Sequence, residues 1–326
     1  MRGTLGRVLV VVLAGLIAVT PTVVGGADFP TRNVELVVPY PPGGSSDALA
    51  RAIAPGIEKT LGGTVVVVNK PGAGGLVAAT LVSKAKPDGY TILIASSTAL
   101  LLAPRFQKTE YDTLKDFTYL GLAARLIPMI LVRTDSQWKT FEDLLAFAKN
   151  NPGKIRYGTS GPTSGTHIAM ASMAKERGVN WVHVPFQGDG PVVNAILGGH
   201  IDVAGLFSVY LPHVKAGKLR PLVSLMDTRV SFFPDVPTYK DLGFKFDARG
   251  VQSITGIIAP AGVDPAIVAK YEAAIQHAVQ TPEFQKTVET QGMVSDFMPP
   301  ADYRRETEEG YHSAGRMLKE IGLIKE

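Results

Sequence analysis

The sequence predicts an α/β protein of two units, each a mostly parallel sheet flanked by helices. Short β-branched runs alternate with segments whose apolar residues recur every three or four positions. Glycine, proline and serine gather where each strand should end and the next helix begin. This order of strand, polar turn and helix runs once through the first part of the chain and starts again near Leu126.

The first residues stand apart from that pattern. Arg2 and Arg7 precede an apolar run over 8–19, and Gly25 and Ala27 supply small residues before Asp28. Thr20 and Pro21 stop the run short of the roughly 20 apolar residues a membrane span needs. The expectation is a secretory signal peptide over 1–27, cleaved before Asp28.

The first unit opens with the β-branched run Val34–Val38, read as a buried strand, and breaks at P-Y-P-P-G-G. Ser45, Ser46 and Asp47 then offer N-cap chemistry to a helix carrying Leu49, Ile53, Ile57 and Leu61. A strand end, a glycine turn and a helix N-terminus together form an anion site. The first amides lack partners, the helix dipole favours negative charge, and Gly43 and Gly44 leave the backbone open to a ligand oxygen. The plainer alternative is an ordinary βα turn. Asp47 is expected to act through the dipole on its own helix. Pro55-Gly56 falls inside the same helical pattern, which predicts a kink or a split there.

The four valines of 64–68 read as a second buried strand, followed by a glycine-rich turn over 69–75 containing Ala73 and Gly74. A helix with Val77, Leu81 and Val82 leads to a strand over 90–95 and the polar turn Ser96-Ser97-Thr98. In such sheets ligands sit beyond the carboxyl ends of the strands, where these turns should gather.

The second unit repeats the pattern with a strand over 129–132, a helix Phe141–Asn150 and a strand over 155–158. A long polar turn follows, carrying Thr159, Ser160, Gly161, Thr163, Ser164, Gly165, Thr166 and His167. So many hydroxyls and glycines ahead of a helix read as a binding loop, with Gly165 facing the cleft. A strand over 181–184, the turn Phe186-Gln187-Gly188-Asp189-Gly190, a short helix and a strand over 201–206 complete the unit. A strand-like run over 250–258 and helices over 265–280 and 301–321 end the chain.

Composition narrows the function. The chain is 45% hydrophobic and 19% charged with a net charge of +4, which suits a globular protein with a sizeable core. Its charges are dispersed, so nucleic-acid binding has no support. It contains no cysteine. That excludes disulfides, a thiol nucleophile, a lipidated N-terminal cysteine and cysteine metal sites. No histidines pair at metal-ligand spacing. Gly72-Ala73-Gly74 would need glycine in place of Val77 to match a dinucleotide loop, so no cofactor is expected. Gly158-Thr159-Ser160-Gly161-Pro162 misses the nucleophile elbow at its last position. A hydrolase or transferase using Ser160 and His167 is the enzymatic alternative.

Several stretches, in order along the chain, resemble the periplasmic receptors of tripartite tricarboxylate transporters, the Bug family. They are P-Y-P-P-G-G-S-S-D-A-L-A-R (39–51), N-K-P-G-A-G-G (69–75), K-P-D-G-Y-T (86–91), Y-G-T-S-G (157–161), V-P-F-Q-G (184–188), L-P-H-V-K-A-G-K-L-R (211–220) and P-D-V-P-T (234–238). The resemblance implies a two-lobed, type II-like periplasmic binding fold. Lobe 1 would comprise 28–125 and 254–326, and lobe 2 would comprise 126–253. It implies a monomeric, non-enzymatic periplasmic receptor that binds a small mono- or dicarboxylate between the lobes and hands it to membrane permease subunits. The expected site combines Tyr40, Gly43, Gly44, Ser45, Ser46, Asp47, Ala73, Gly74 and Ser97 with Ser160, Gly161, Thr163, Ser164, Gly165, Thr166, His167, Phe186, Gln187 and Gly188. Its carboxylate would lie between two helix N-termini, one from each lobe. A ligand-sensing subunit for a signalling kinase is a further alternative on the same fold.

Overall fold

The computed structural model describes residues 29–251 and 253–324, so the expected signal segment lies outside the described residues. The first lobe begins with β1 (Val34–Val38), α1 (Ser45–Leu61), β2 (Val65–Asn69), α2 (Leu76–Ser83), β3 (Thr91–Ser96), α3 (Ala103–Phe106) and β4 (Phe117–Leu126). The chain crosses at Ile127 into β5 (Pro128–Arg133), α4 (Phe141–Asn150), β6 (Arg156–Thr159), α5 (Gly165–Arg177) and β7 (Val182–Pro185). The second lobe ends with α6 (Asp189–Leu197), β8 (Val203–Phe207), α7 (Leu211–Lys215) and β9 (Leu219–Ser224). The chain returns to the first sheet through β10 (Ser253–Pro260) and closes with α8 (Pro265–Gln280), α9 (Pro282–Thr290), β11 (Met293–Met298) and α10 (Pro300–Glu320).

Two sheets result, in strand orders β11-β4-β10-β3-β1-β2 and β7-β6-β8-β5-β9. Both are mixed. β1 runs parallel to β2 and β3, and β6 runs parallel to β7 and β8, as strands joined by crossover helices must. The antiparallel half of each sheet comes from strands at the crossings and at the chain's end. There β10 lies between β3 and β4, β11 flanks β4, and β5 lies between β8 and β9. The parallel reading of the alternation thus describes half of each sheet.

Two local expectations change. The valine run of β2 forms an edge strand rather than a buried one, leaving Val66 41% exposed. Helix α1 continues unbroken through Pro55. Arg51 and Pro55 lie on its exposed side, so the carbonyl that loses its intrahelical partner faces solvent. Gly56, on the opposite face, lets α8 approach closely, since a Cβ there would fall 2.5 Å from Ala278 Cβ. Leu49, Ile53 and Ile57 are fully buried on that inner face. Each contributes roughly 1.5–3 kcal/mol, which anchors the helix and fixes where its N-terminus points.

Side chains also tie the crossings. The Ile127 amide donates to Ser208 Oγ at 2.9 Å and its carbonyl accepts from the Tyr210 hydroxyl at 3.0 Å. On the return, Gly250 packs against Ala314, where a Cβ would lie 2.6 Å from the Ala314 backbone.

Candidate functional site

A cavity opens between the lobes. The first lobe contributes the β1–α1 loop, from Tyr40 to Pro42, and the start of α1 from Gly44 to Ser46, with Ser96 at the end of β3, Thr98 just beyond it and Leu126 at the end of β4. The second lobe contributes Ser160, Phe207 and the start of α6, residues 187–191. Among the described residues, no lysine or arginine lines this cavity.

Two helices open onto it without side-chain caps. Gly44 precedes α1 and Gly188 precedes α6, and neither helix has a side-chain cap bond. Helices α4, α5, α8 and α9 are capped in the ordinary way by Thr140, Ser164, Asp264 and Thr281. Uncapped first-turn amides carry partial positive charge and need acceptors. At α1 that makes a place for an anionic oxygen. The φ of −87° at Gly44 is open to any residue, so its value here is the missing side chain.

The α6 end differs, because its first residue is Asp189. This carboxyl is buried, and Ser45 Oγ donates to its Oδ2 at 3.1 Å across the cleft. Ser45 Oγ is also hydrogen-bonded to the Phe207 carbonyl. Burial pushes Asp189 up to about 7, against smaller opposing effects of Ser45, the Phe207 amide and Ser160. On the facing wall, Tyr40 OH meets Ser96 Oγ at 3.1 Å and donates to the Gly74 carbonyl at 3.3 Å. Burial raises the Tyr40 phenol, so it stays a neutral donor.

Of the residues predicted for the site, Tyr40, Gly44, Ser45, Ser46, Ser160, Gln187 and Gly188 line the cavity. The others lie outside its lining. Gly43, with φ +85°, donates its amide to Asp47 Oδ2 at 3.0 Å. Asp47 also accepts from Arg51 and from Asn69 Nδ2, which fixes the loop to the end of β2. Burial raises the Asp47 carboxyl, but Arg51, the Gly43 amide and Asn69 together hold it below the usual range. Ala73 and Gly74 both adopt left-handed backbone, and a Cβ on Gly74 would fall 3.0 Å from Thr163 Oγ1, so the two loops lie close together here.

Ser97 turns away from the cavity to pin the returning strand. Its Oγ accepts from the Ile254 amide at 3.2 Å. The polar loop before α5 serves its own fold. Ser164 accepts from the His167 amide, Thr166 donates to the Gly205 carbonyl, and Thr159 bonds the Gly161 carbonyl and His183. Gly165 does not face the cleft, since a Cβ there would lie 2.3 Å from the Val251 carbonyl oxygen. The second-lobe helix end on the cavity is therefore that of α6, in place of α5. His167 bonds the Tyr157 hydroxyl at 2.8 Å and stacks on His183 with ring centroids 3.8 Å apart. Phe186 packs its ring against Gly158.

Sequence reading missed Ser96, Thr98, Asp189, Gly190 and Phe207 as parts of the cavity wall. For Ser96 and Thr98 the signal was present, since both flank Ser97 in the same turn. Asp189 gave none, because an acid in the first turn of a helix is ordinary until its burial is known.

The matching family model describes the tripartite tricarboxylate transporter family receptor and spans residues 49–323. The chain is similar to the UPF0065 protein in the gbd 5′ region of Cupriavidus necator, at 34% identity over 95% of this chain and 93% of that one. It is also similar to protein BugT of Bordetella pertussis, at 31% identity over 85% of each chain. A solved periplasmic transporter superposes with a TM-score of 0.85 at 32% identity, covering 91% of this chain and 99% of its own. Rpa4515 of R. palustris, solved with adipate, superposes with a TM-score of 0.85 at 26% identity, covering 90% and 99%. MatC from Rhodopseudomonas palustris, solved with malate, gives 0.78 at 28% identity, covering 90% and 100%. The chain belongs to the tripartite tricarboxylate transporter receptor family.

Proposed function

We propose that this protein is a periplasmic receptor that binds a small organic carboxylate between its lobes and delivers it to a membrane permease. The observation that carries the reading is the uncapped N-terminus of α1, which opens onto an inter-lobe cavity lined by no cationic side chain among the described residues. Backbone amides there take the place of lysine or arginine as the carboxylate's donors. The adipate and malate bound by the two R. palustris relatives support the ligand class. Among the described residues no helix is long and apolar enough to cross a membrane. The bond already made across the cleft from Ser45 to Asp189 supports a closed form that encloses its ligand.

The enzymatic alternative has little geometric support. Ser160 approaches Asp189, whereas His167 is engaged by Tyr157 and His183. A thermal-shift screen of small carboxylates, with mass spectrometry of the recovered ligand, tests the proposal. A ligand that binds only the folded state at a hundred times its Kd contributes about 2.7 kcal/mol. The expected result is a shift of several degrees with the ligand returned unchanged. No shift with any carboxylate, or a chemically altered ligand, would overturn it.

A further inference from the structure

Asp189 is 8% exposed and lines the cavity; the Phe207 amide and the Ser160 hydroxyl lie near its carboxyl, yet its Oδ1 completes no hydrogen bond among the described residues. A buried carboxyl of this kind is costly unless a donor or a cation completes it. Its surroundings supply no cation. From the β1–α1 loop the titratable group that feels its charge is Tyr40, a neutral phenol. Helix α1 presents Ser45 and, two residues on, Asp47, which is itself paired with Arg51. The loop after β6 presents the Ser160 hydroxyl, β8 presents Phe207, and the rest of α6 carries no charged residue.

We infer that Asp189 determines specificity by pairing with a protonated amine of the ligand, so that the site takes an amino-carboxylate. The inference rests on the carboxylate reading above and deepens it. The ligand's carboxylate would sit on the α1 amides beside Ser45, and Ser45 already touches Asp189 at 3.1 Å. Anion and cation are thereby held close together, which suits an amine on the carbon next to the carboxylate. An ammonium group supplies both a donor to Oδ1 and the charge that the buried carboxylate lacks. A hydroxyl supplies the donor alone, and a second carboxylate directed at Asp189 would be repelled.

Calorimetry on the mature protein tests this with matched carboxylates of three to six carbons, each in unsubstituted, 2-hydroxy and 2-amino form. At the best-fitting length the amino form should bind at least tenfold more tightly than its hydroxy and unsubstituted counterparts. Asp189→Asn should abolish that preference. A reading on the unaltered protein guards against misfolding of the variant. With Asp189 poised near 7, binding at pH 7 should release protons for an ammonium ligand and take them up for a purely anionic one, which is visible as buffer-dependent heats. Carboxylates that bind with no amino preference, or a preference that survives in Asp189→Asn, would overturn the inference and leave the carboxylate reading standing. Failure of every carboxylate to bind would overturn both.

Discussion

Ser45 Oγ, at the first turn of α1, donates to Asp189 Oδ2, at the first turn of α6, over 3.1 Å. This bond joins the two lobes at the wall of the cavity, and the Phe207 carbonyl shares the same hydroxyl. Ser45→Ala leaves both second-lobe acceptors without that donor. Stranding a buried polar group costs about 1–3 kcal/mol. Urea unfolding should therefore show a loss in that range, and small-angle scattering should show a more open chain. Unchanged stability together with unchanged dimensions would mean that this bond does not hold the lobes.

Asp189 should also leave a signature in stability against pH. Its folded value, about 7, lies above the value of about 3.9 for an unfolded aspartate. The folded chain binds the extra proton, so its contribution is full below about 3.9 and is lost as pH rises toward 7. The three-unit difference corresponds to an order of 4 kcal/mol. Asp189→Asn should remove that loss and be the more stable protein at pH 8 by chemical denaturation. Equal stability of the two at pH 8 would contradict the buried, ionisable reading of this side chain.

The stacked histidines act with the opposite sign. Burial, and then the neighbouring His183, holds His167 at about 3, and burial holds His183 at about 4. Both lie below the unfolded value of about 6.5, so the unfolded chain binds more protons and stability is lost as pH falls from 6.5 toward 4. This slope opposes that of Asp189 over the same window. In Asp189→Asn the melting temperature should therefore fall steeply below pH 6, and adding His183→Gln should flatten the fall. A flat profile in Asp189→Asn alone would argue against the pair being buried and neutral.

Glycines of similar appearance should behave differently. Gly165→Ala places a Cβ 2.3 Å from the Val251 carbonyl oxygen, whereas a Cβ at Gly190 meets nothing within 4 Å. Gly165→Ala should destabilise by about 1–3 kcal/mol through overpacking, while Gly190→Ala should remain within about 0.5 kcal/mol of the parent. Equal melting temperatures for the two would show that the α5 end is not wedged against the returning chain.

The first-lobe half of the site was legible because each part has a local cause. A β-branched run ends at prolines and glycines, and α1 follows, so Tyr40, Gly44, Ser45 and Ser46 converge on one cavity. The second-lobe half was less legible. The hydroxyls from Thr159 to Thr166 look like ligand donors, but a serine that caps its own helix and a threonine that bonds Gly205 carry the same letters. The strand β4 has no clear signature, since Gly121, Ala123 and Ala124 blur its alternation, yet it lies between β11 and β10 in the first-lobe sheet. Asp189 was hidden for a tertiary reason. Ser45, Ser160 and Phe207, each from a different element, bury it.

The most direct test of the account is Gly44→Asp. A Cβ at this position comes no closer than 3.8 Å to any neighbour, and its extended backbone is the geometry of an N-cap. The new carboxylate should accept from the free amides of α1, which aspartate does well as an N-cap residue. It would then occupy the place assigned to the ligand's carboxylate. Calorimetry should show ligand affinity reduced at least a hundredfold, while the melting temperature without ligand is maintained or slightly raised. A folded Gly44→Asp protein that binds its carboxylate at parental affinity would contradict the claim that the α1 N-terminus is the carboxylate site.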